Sequence, residues 1–328
     1  MHWIKTHKLF SCILIIAVLL VCLNILAYLQ VYSMSHFAKS GTRSVPPEQQ
    51  KGFMKMRTLL LGVTIPKPMN YSTPDKYGMS YSALSIQNSS HMNLVGWWIQ
   101  PTKPKGTILL YHGYSETKSI LLPEANAFYH MGFNVFLLDF RGSGESDGNV
   151  TSLGYREADD VTCSYQAIKK KNPMEPIILY GRSMGSTAIL RAIAVEHIQP
   201  QAVILECPYN TMLDTVNNRF ASMHLPSFPA AYLMVFWGGV QFQTNPFRET
   251  PIKYAAQIQT SVLLLHGEKD PRVTLEQANQ VFSQFKGTKE LHVFKNVKHE
   301  SYFMSYPQEW KDTVEAFNAK VTKQVGMK

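Results

Sequence analysis

Residues 176–187 read Pro-Ile-Ile-Leu-Tyr-Gly-Arg-Ser-Met-Gly-Ser-Thr, an apolar run that passes through Gly181-x-Ser183-x-Gly185 into a helical pattern. An apolar strand that turns sharply into a helix holds the turn residue in strained backbone geometry with its side chain exposed. Glycines two positions either side let strand and helix pass without side-chain clashes. The motif constrains the fold only in that context, and here a strand precedes it and a helix follows.

The rest of the chain extends the pattern. Strand-like runs lie near residues 77–86, 94–99, 107–111, 134–139, 176–180, 202–206, 261–266 and 290–294. Helical patterns fall near 118–131, 153–171, 184–197, 273–286 and 308–323. The first two strands read as a hairpin across Gln87 to Asn93. From residue 107 strands alternate with helices, which predicts an α/β fold: an eight-stranded, mostly parallel sheet with helices on both faces. At 328 residues and 45% hydrophobic, the chain can fill the core of one large domain.

Polar segments cluster where open α/β sheets place their sites, past the C-terminal ends of the strands. They are His112-Gly113-Tyr114, the loop Asp139-Phe-Arg-Gly-Ser-Gly-Glu-Ser-Asp-Gly148, the turn at Ser183, His266-Gly-Glu-Lys-Asp270-Pro-Arg-Val273, and Asn296-Val-Lys-His299. In this order they resemble the α/β-hydrolase superfamily, and within it the Bem46-like and serine aminopeptidase-like branch of membrane-anchored hydrolases. The resemblance covers about residues 75 to 322. It implies Ser183 as nucleophile, His299 as its base and Asp270 as the acid that orients the imidazole, with Glu206 the rival for that last role. It also implies an oxyanion hole built from the backbone N–H groups of Met184 and Tyr114. His112 and His266 read as turn-shaping, and Asp139 and Asp160 as structural supports. Serine at the turn points to acyl transfer to water, through ester or thioester cleavage before peptide cleavage. No metal and no organic cofactor is called for.

Residues 9–37 carry no Asp, Glu, Lys or Arg. The run from Leu9 to Leu29 would span about 30 Å as a helix, the thickness of a bilayer's hydrocarbon core. Its exit, Ala27-Tyr28-Leu29, is a poor signal-peptide cleavage site, so an uncleaved single-pass anchor is expected over a cleaved or lipidated signal. The expected division is a basic flank (1–8), the anchor (9–34), a linker and lead-in (35–75) and a hydrolase domain (76–328) with a cap insertion (207–258). Lys5 and Lys8 tip the orientation toward a catalytic domain outside the cytoplasm. Phe53, Met56, Leu59, Leu60 and Leu61 suit a short amphipathic helix that packs on the domain or lies on the membrane. Asn70, Asn88 and Asn149 each begin a glycosylation sequon, meaningful in a eukaryote alone. Cys163 and Cys207 are expected as thiols, with one bridge between them open if the domain is exported.

Net charge is +9, from scattered basic residues. That suits a solvated surface or an anionic membrane, and no nucleic-acid motif accompanies it. Between Arg219 and Arg248 no charged residue occurs. Phe228, Tyr232, Phe236 and Trp237 in that stretch either pack the cap or form a pocket for an acyl chain. Lipid-like substrates are therefore expected. The competing readings are a peptidase using Glu116 or Glu206 to bind an ammonium group, an acyltransferase, and a non-enzymatic role.

Overall fold

The strand and helix alternation closes into one eight-stranded sheet. The structure is a computed structural model that describes residues 2–324. Met1 of the expected basic flank and the last four residues of the expected hydrolase domain lie outside the described residues, as do the side chains of Lys5 and Lys8. In chain order the elements are α1 (His2–Ser35), α2 (Gly52–Leu61), β1 (Tyr81–Gln87), β2 (Asn93–Ile99), β3 (Thr107–Tyr111), α3 (Leu122–His130), β4 (Asn134–Leu138), α4 (Glu157–Lys171), β5 (Ile177–Arg182), α5 (Met184–Glu196) and β6 (Ala202–Glu206). There follow α6 (Met212–Ser222), α7 (Ala230–Phe242), α8 (Pro251–Ala255), β7 (Ser261–Gly267), α9 (Leu275–Gln284), β8 (Lys289–Phe294), α10 (Tyr302–Ser305) and α11 (Pro307–Gln324).

The sheet order is β1-β2-β4-β3-β5-β6-β7-β8. β2 runs antiparallel to β1 and β4, and β4 onward is parallel. Strands β3 to β6 are buried along their whole length, as aliphatic runs covered on both faces must be. One core layer joins that sheet to α4, α5, α8 and α9 through residues such as Val161, Ile189, Tyr254 and Val281. The other joins it to α3, α10 and α11 through Phe128, Tyr302 and Trp310. Trp97 and Trp98 are buried within β2.

Two boundaries differ from expectation. β1 starts at Tyr81 because Pro74–Tyr77 forms a 3-10 turn that ends on Gly78 in the left-handed region. α4 starts at Glu157 because Thr151, Ser152 and Gly154 bond its carboxylate, holding the preceding segment open.

The segment expected as a linker is no tether. Phe37 and Ser35 are buried, Phe37 N–H donates to Asn149 O (2.7 Å) and Thr151 N–H donates to Ser35 O (2.9 Å). α2 packs on α1, where Gln30 Nε2 donates to the Thr58 and Leu59 carbonyls. Its apolar face is left open, with Phe53 80% exposed. α1 is long and apolar enough to cross a membrane over Phe10–Ser35. Phe10 to Cys22 are exposed on every side, and burial begins at Leu23, where α7 comes alongside.

The described cysteines are free thiols. Asn88 is buried with its amide donating to Asp160 (2.8 Å), which withdraws that sequon from a glycosylating enzyme. Asn70 and Asn149 also spend their amide N–H groups on protein, on Asp139 and on the Phe37 carbonyl.

Candidate active site

Ser183 sits at φ 51°, ψ −109°, between β5 and the first turn of α5. The two flanking glycines make that turn possible. A Cβ on Gly181 would stand 2.6 Å from Gly185 C, and one on Gly185 would drive into the Tyr111 carbonyl. β3 and α5 therefore touch backbone to backbone beside Ser183. Ser183 N–H donates to Glu206 O (2.8 Å), which ties the turn to β6.

Three side chains from three strand ends meet there. His299 Nε2 lies 3.1 Å from Ser183 Oγ, and His299 Nδ1 lies 2.6 Å from Asp270 Oδ2. Asp270 Oδ1 accepts from the backbone N–H groups of Arg272 (2.8 Å) and Val273 (3.0 Å), so the loop after β7 holds the carboxylate in place. Burial opposes ionisation of Asp270, but the His299 hydrogen bond and charge outweigh it and hold the pKa below the usual carboxylate value. Burial likewise disfavours the charged form of His299. The Cys207 sulfur and the Asp270 carboxylate overcome that and hold the imidazole pKa above its ordinary value.

The other expected residues are placed as follows. Met184 is the first residue of α5, so its N–H is among those unpaired by helix geometry. Tyr114 follows β3 on a braced loop. Gly113 N–H donates to Glu116 Oε2 (2.9 Å), Glu116 pairs with Arg182 (2.9 Å), and His112 Nε2 accepts from Phe140 N–H (3.1 Å). His266 Nε2 meets Val273 O at 3.0 Å. Asp139 receives the Lys118 backbone N–H (2.8 Å) and pairs with its ammonium; Asp160 grips Arg141. Both histidines and both aspartates shape loops. Glu206, the rival acid, makes no hydrogen bond to His299 and accepts instead from Trp310 Nε1 (2.9 Å).

Two placements were not legible beforehand. Cys207 adopts φ 40° after β6, and its Sγ stands within 4.8 Å of the His299 and Asp270 ligand atoms. These three could hold a metal ion, although the ring Nδ1 and the carboxylate are already joined to each other. The second concerns the cap. Phe228, Tyr232 and Phe236, read as packing the cap or lining a pocket, are exposed: Tyr232 and Phe236 stand outward from α7 and Phe228, just before it, is 75% exposed. Trp237 faces α1 instead, its Nε1 donating to Asn24 (3.2 Å). The cavity lies on the other side of α7, against Met234, Val235, Gly238 and Phe242. A helix apolar all round has no periodicity from which to read its inner face.

Comparisons agree with this architecture. A family model described as "Serine aminopeptidase, S33" matches residues 102–233. The chain is 25% identical over 73% of its length to the uncharacterized protein YqkD of Bacillus subtilis, covering 79% of that protein. It is 24% identical over 70% of its length to the protein bem46 of Schizosaccharomyces pombe, covering 74% of it. It is 24% identical over 60% of its length to the lysophosphatidylserine lipase ABHD12 of Danio rerio, spanning 52% of that protein. The esterase Pf2001 of Pyrococcus furiosus superposes with a TM-score of 0.66 at 23% identity, over 78% of this chain and 96% of that one, which speaks to the fold. With its sheet order, its strained turn at Ser183 and these likenesses, the chain has the α/β-hydrolase fold and is similar to Bem46-like proteins.

Proposed function

We propose that this protein is a membrane-anchored serine hydrolase that cleaves acyl ester or thioester bonds of lipid-like substrates, with its catalytic domain on the non-cytoplasmic side. The observation that carries it is the hydrogen-bonded line Ser183–His299–Asp270 at a strained strand-to-helix turn. His299 Nε2 takes the Ser183 proton as Oγ attacks the acyl carbon. The Met184 and Tyr114 N–H groups receive the oxyanion. The imidazolium then gives its proton to the leaving alcohol or thiol, leaving an acyl-serine. Water repeats the sequence and frees the acid. Asp270 holds the ring and balances its transient charge.

The lipid preference draws on ABHD12, named as a lysophosphatidylserine lipase, and on the apolar α1, α2 and α7. The aminopeptidase reading needs a carboxylate for the substrate's ammonium group. Glu116 is committed to Arg182 and Gly113, and Glu206 is buried against Trp310, so neither is placed to serve.

The test is activity-based labelling of the full-length protein in phospholipid vesicles with a fluorophosphonate. Wild type labels at Ser183 and hydrolyses p-nitrophenyl palmitate; Ser183→Ala does neither. A wild-type protein that stays unlabelled, or a Ser183→Ala variant that still turns over ester, overturns the reading.

A further inference from the structure

The apolar helix expected to do no more than hold the protein at a membrane also forms a wall of an apolar cavity under α7. That cavity holds about 100 Å³. Val31 and Met34 of α1 close one side, and Met234, Val235 and Gly238 of α7 close the other. The residues that flank its wall at Ser152 and Leu153 touch Met184. Thr151 Oγ1 is 3.4 Å from Met184 Sδ, and a Cβ on Gly154 would stand 3.2 Å from Met184 O. On the α1 side, the Tyr114 hydroxyl donates to the carbonyl of the lining residue Met34 at 2.5 Å. Both residues whose N–H groups would form the oxyanion hole thus touch residues in or next to the wall of a cavity that α1 completes.

The cavity lies on a seam that leads into the bilayer. A second hollow, of about 300 Å³, lies between Trp237 and the α1 residues Val21, Asn24, Ile25 and Tyr28. Asn24, Tyr28, Val31 and Ser35 repeat at helical spacing, so both hollows share one face of α1. The stretch Phe10–Cys22 that stands clear of the domain is about 20 Å long at 1.5 Å per residue. A hydrocarbon core of about 30 Å therefore takes in the next turns too, where α7 lies alongside. α7 is dressed for that depth, with Tyr232, Phe236 and Val240 exposed on one stripe, Phe228 exposed just before it, and no charge from Phe220 to Phe247.

We propose that the seam between α1 and α7 is the acyl-chain site, so that the alkyl tail of a membrane amphiphile reaches Ser183 sideways from the bilayer without crossing water. This rests on the serine-hydrolase reading above. Gly238 keeps the seam open. A Cβ there would meet Val31 Cγ1 at 3.8 Å and nothing nearer, so a small side chain fits and a long one fills the gap.

Two probes test it on the full-length protein in phosphatidylcholine vesicles: an ethyl fluorophosphonate, and a hexadecyl fluorophosphonate with a diazirine at the chain end. After attachment to Ser183 and irradiation, the long chain is expected to cross-link to α1 between Val21 and Ser35 or to α7. Gly238→Leu, which displaces about two methylenes, should slow the hexadecyl probe about ten-fold relative to the ethyl probe. Cross-links confined to other elements, with Ser183 labelled, overturn the seam and leave the hydrolase standing. Failure of both probes on wild type overturns the hydrolase reading and the seam with it. Should Gly238→Leu refuse even the ethyl probe, it is misfolded and the wild-type cross-link map decides.

Discussion

The pH at which Ser183 can be activated depends on what surrounds His299. The base must be neutral to accept a proton, and Cys207 and Asp270 hold its pKa above the ordinary value of about 6.5 despite burial. The acid limb of kcat/KM is therefore expected with its midpoint above pH 6.5, activity rising as the imidazolium loses its proton. Asp270→Asn removes one cause of the upward shift and should move that midpoint down while lowering kcat by about 10⁴-fold, the size seen when such a carboxylate is neutralised elsewhere. A pH–rate series on both proteins checks this; an unmoved midpoint, or a near-normal kcat, removes Asp270 from the role. Ser183, Asp270 and His299 were legible as a set because each ends a strand in a short recognisable segment, and a parallel sheet brings strand ends together. Cys207 was not, because its approach to His299 depends on one residue's positive φ.

At the scale of elements, the β5–α5 turn leaves the least room for change. A Cβ at position 185 meets backbone, which cannot swing aside as a side chain would. Gly185→Ala should destabilise the domain by several kcal/mol, among the large effects reserved for overpacking and backbone strain. Thermal melting in detergent checks it: a melting temperature within a degree or two of wild type would mean that β3 and α5 can separate. The strands were readable to within a few residues because buried parallel strands are short aliphatic runs bounded by turns. The cap was readable as helix and insertion but not as orientation. Ala230–Phe242 offers apolar side chains in every direction, so α1 chooses which face turns inward.

For the whole molecule, the C-terminal end of the first helix is tied to the domain by buried contacts. Truncation before Ala38 would strip Phe37 from its site and remove the Met34 carbonyl from Tyr114. Burial of one such aromatic and one hydrogen bond together amount to about 3 kcal/mol. The shortened protein is expected to melt lower and to self-associate without detergent through the exposed flank of α7. Size exclusion and a thermal scan measure both; a monodisperse domain with an unchanged melt would show that α1 adds nothing to the fold. The junction was hidden in the sequence because residues 35–75 have the punctuation of a loose connector, Pro46-Pro47 and Pro66-x-Pro68, while their anchoring contacts, such as Phe37 with Asn149, are long-range.

A rigid junction passes angle as well as position. Phe10–Ser35 is 26 residues, about 39 Å at 1.5 Å per residue, and a helix longer than the hydrocarbon layer tilts to fit it. Because buried Phe37 and the strand-like contact of His36 with Val150 shorten the junction, the sheet is expected to lean with the helix. With α1 spanning a bilayer as proposed, a thinner membrane would press one rim of the domain toward the lipid and lift the other.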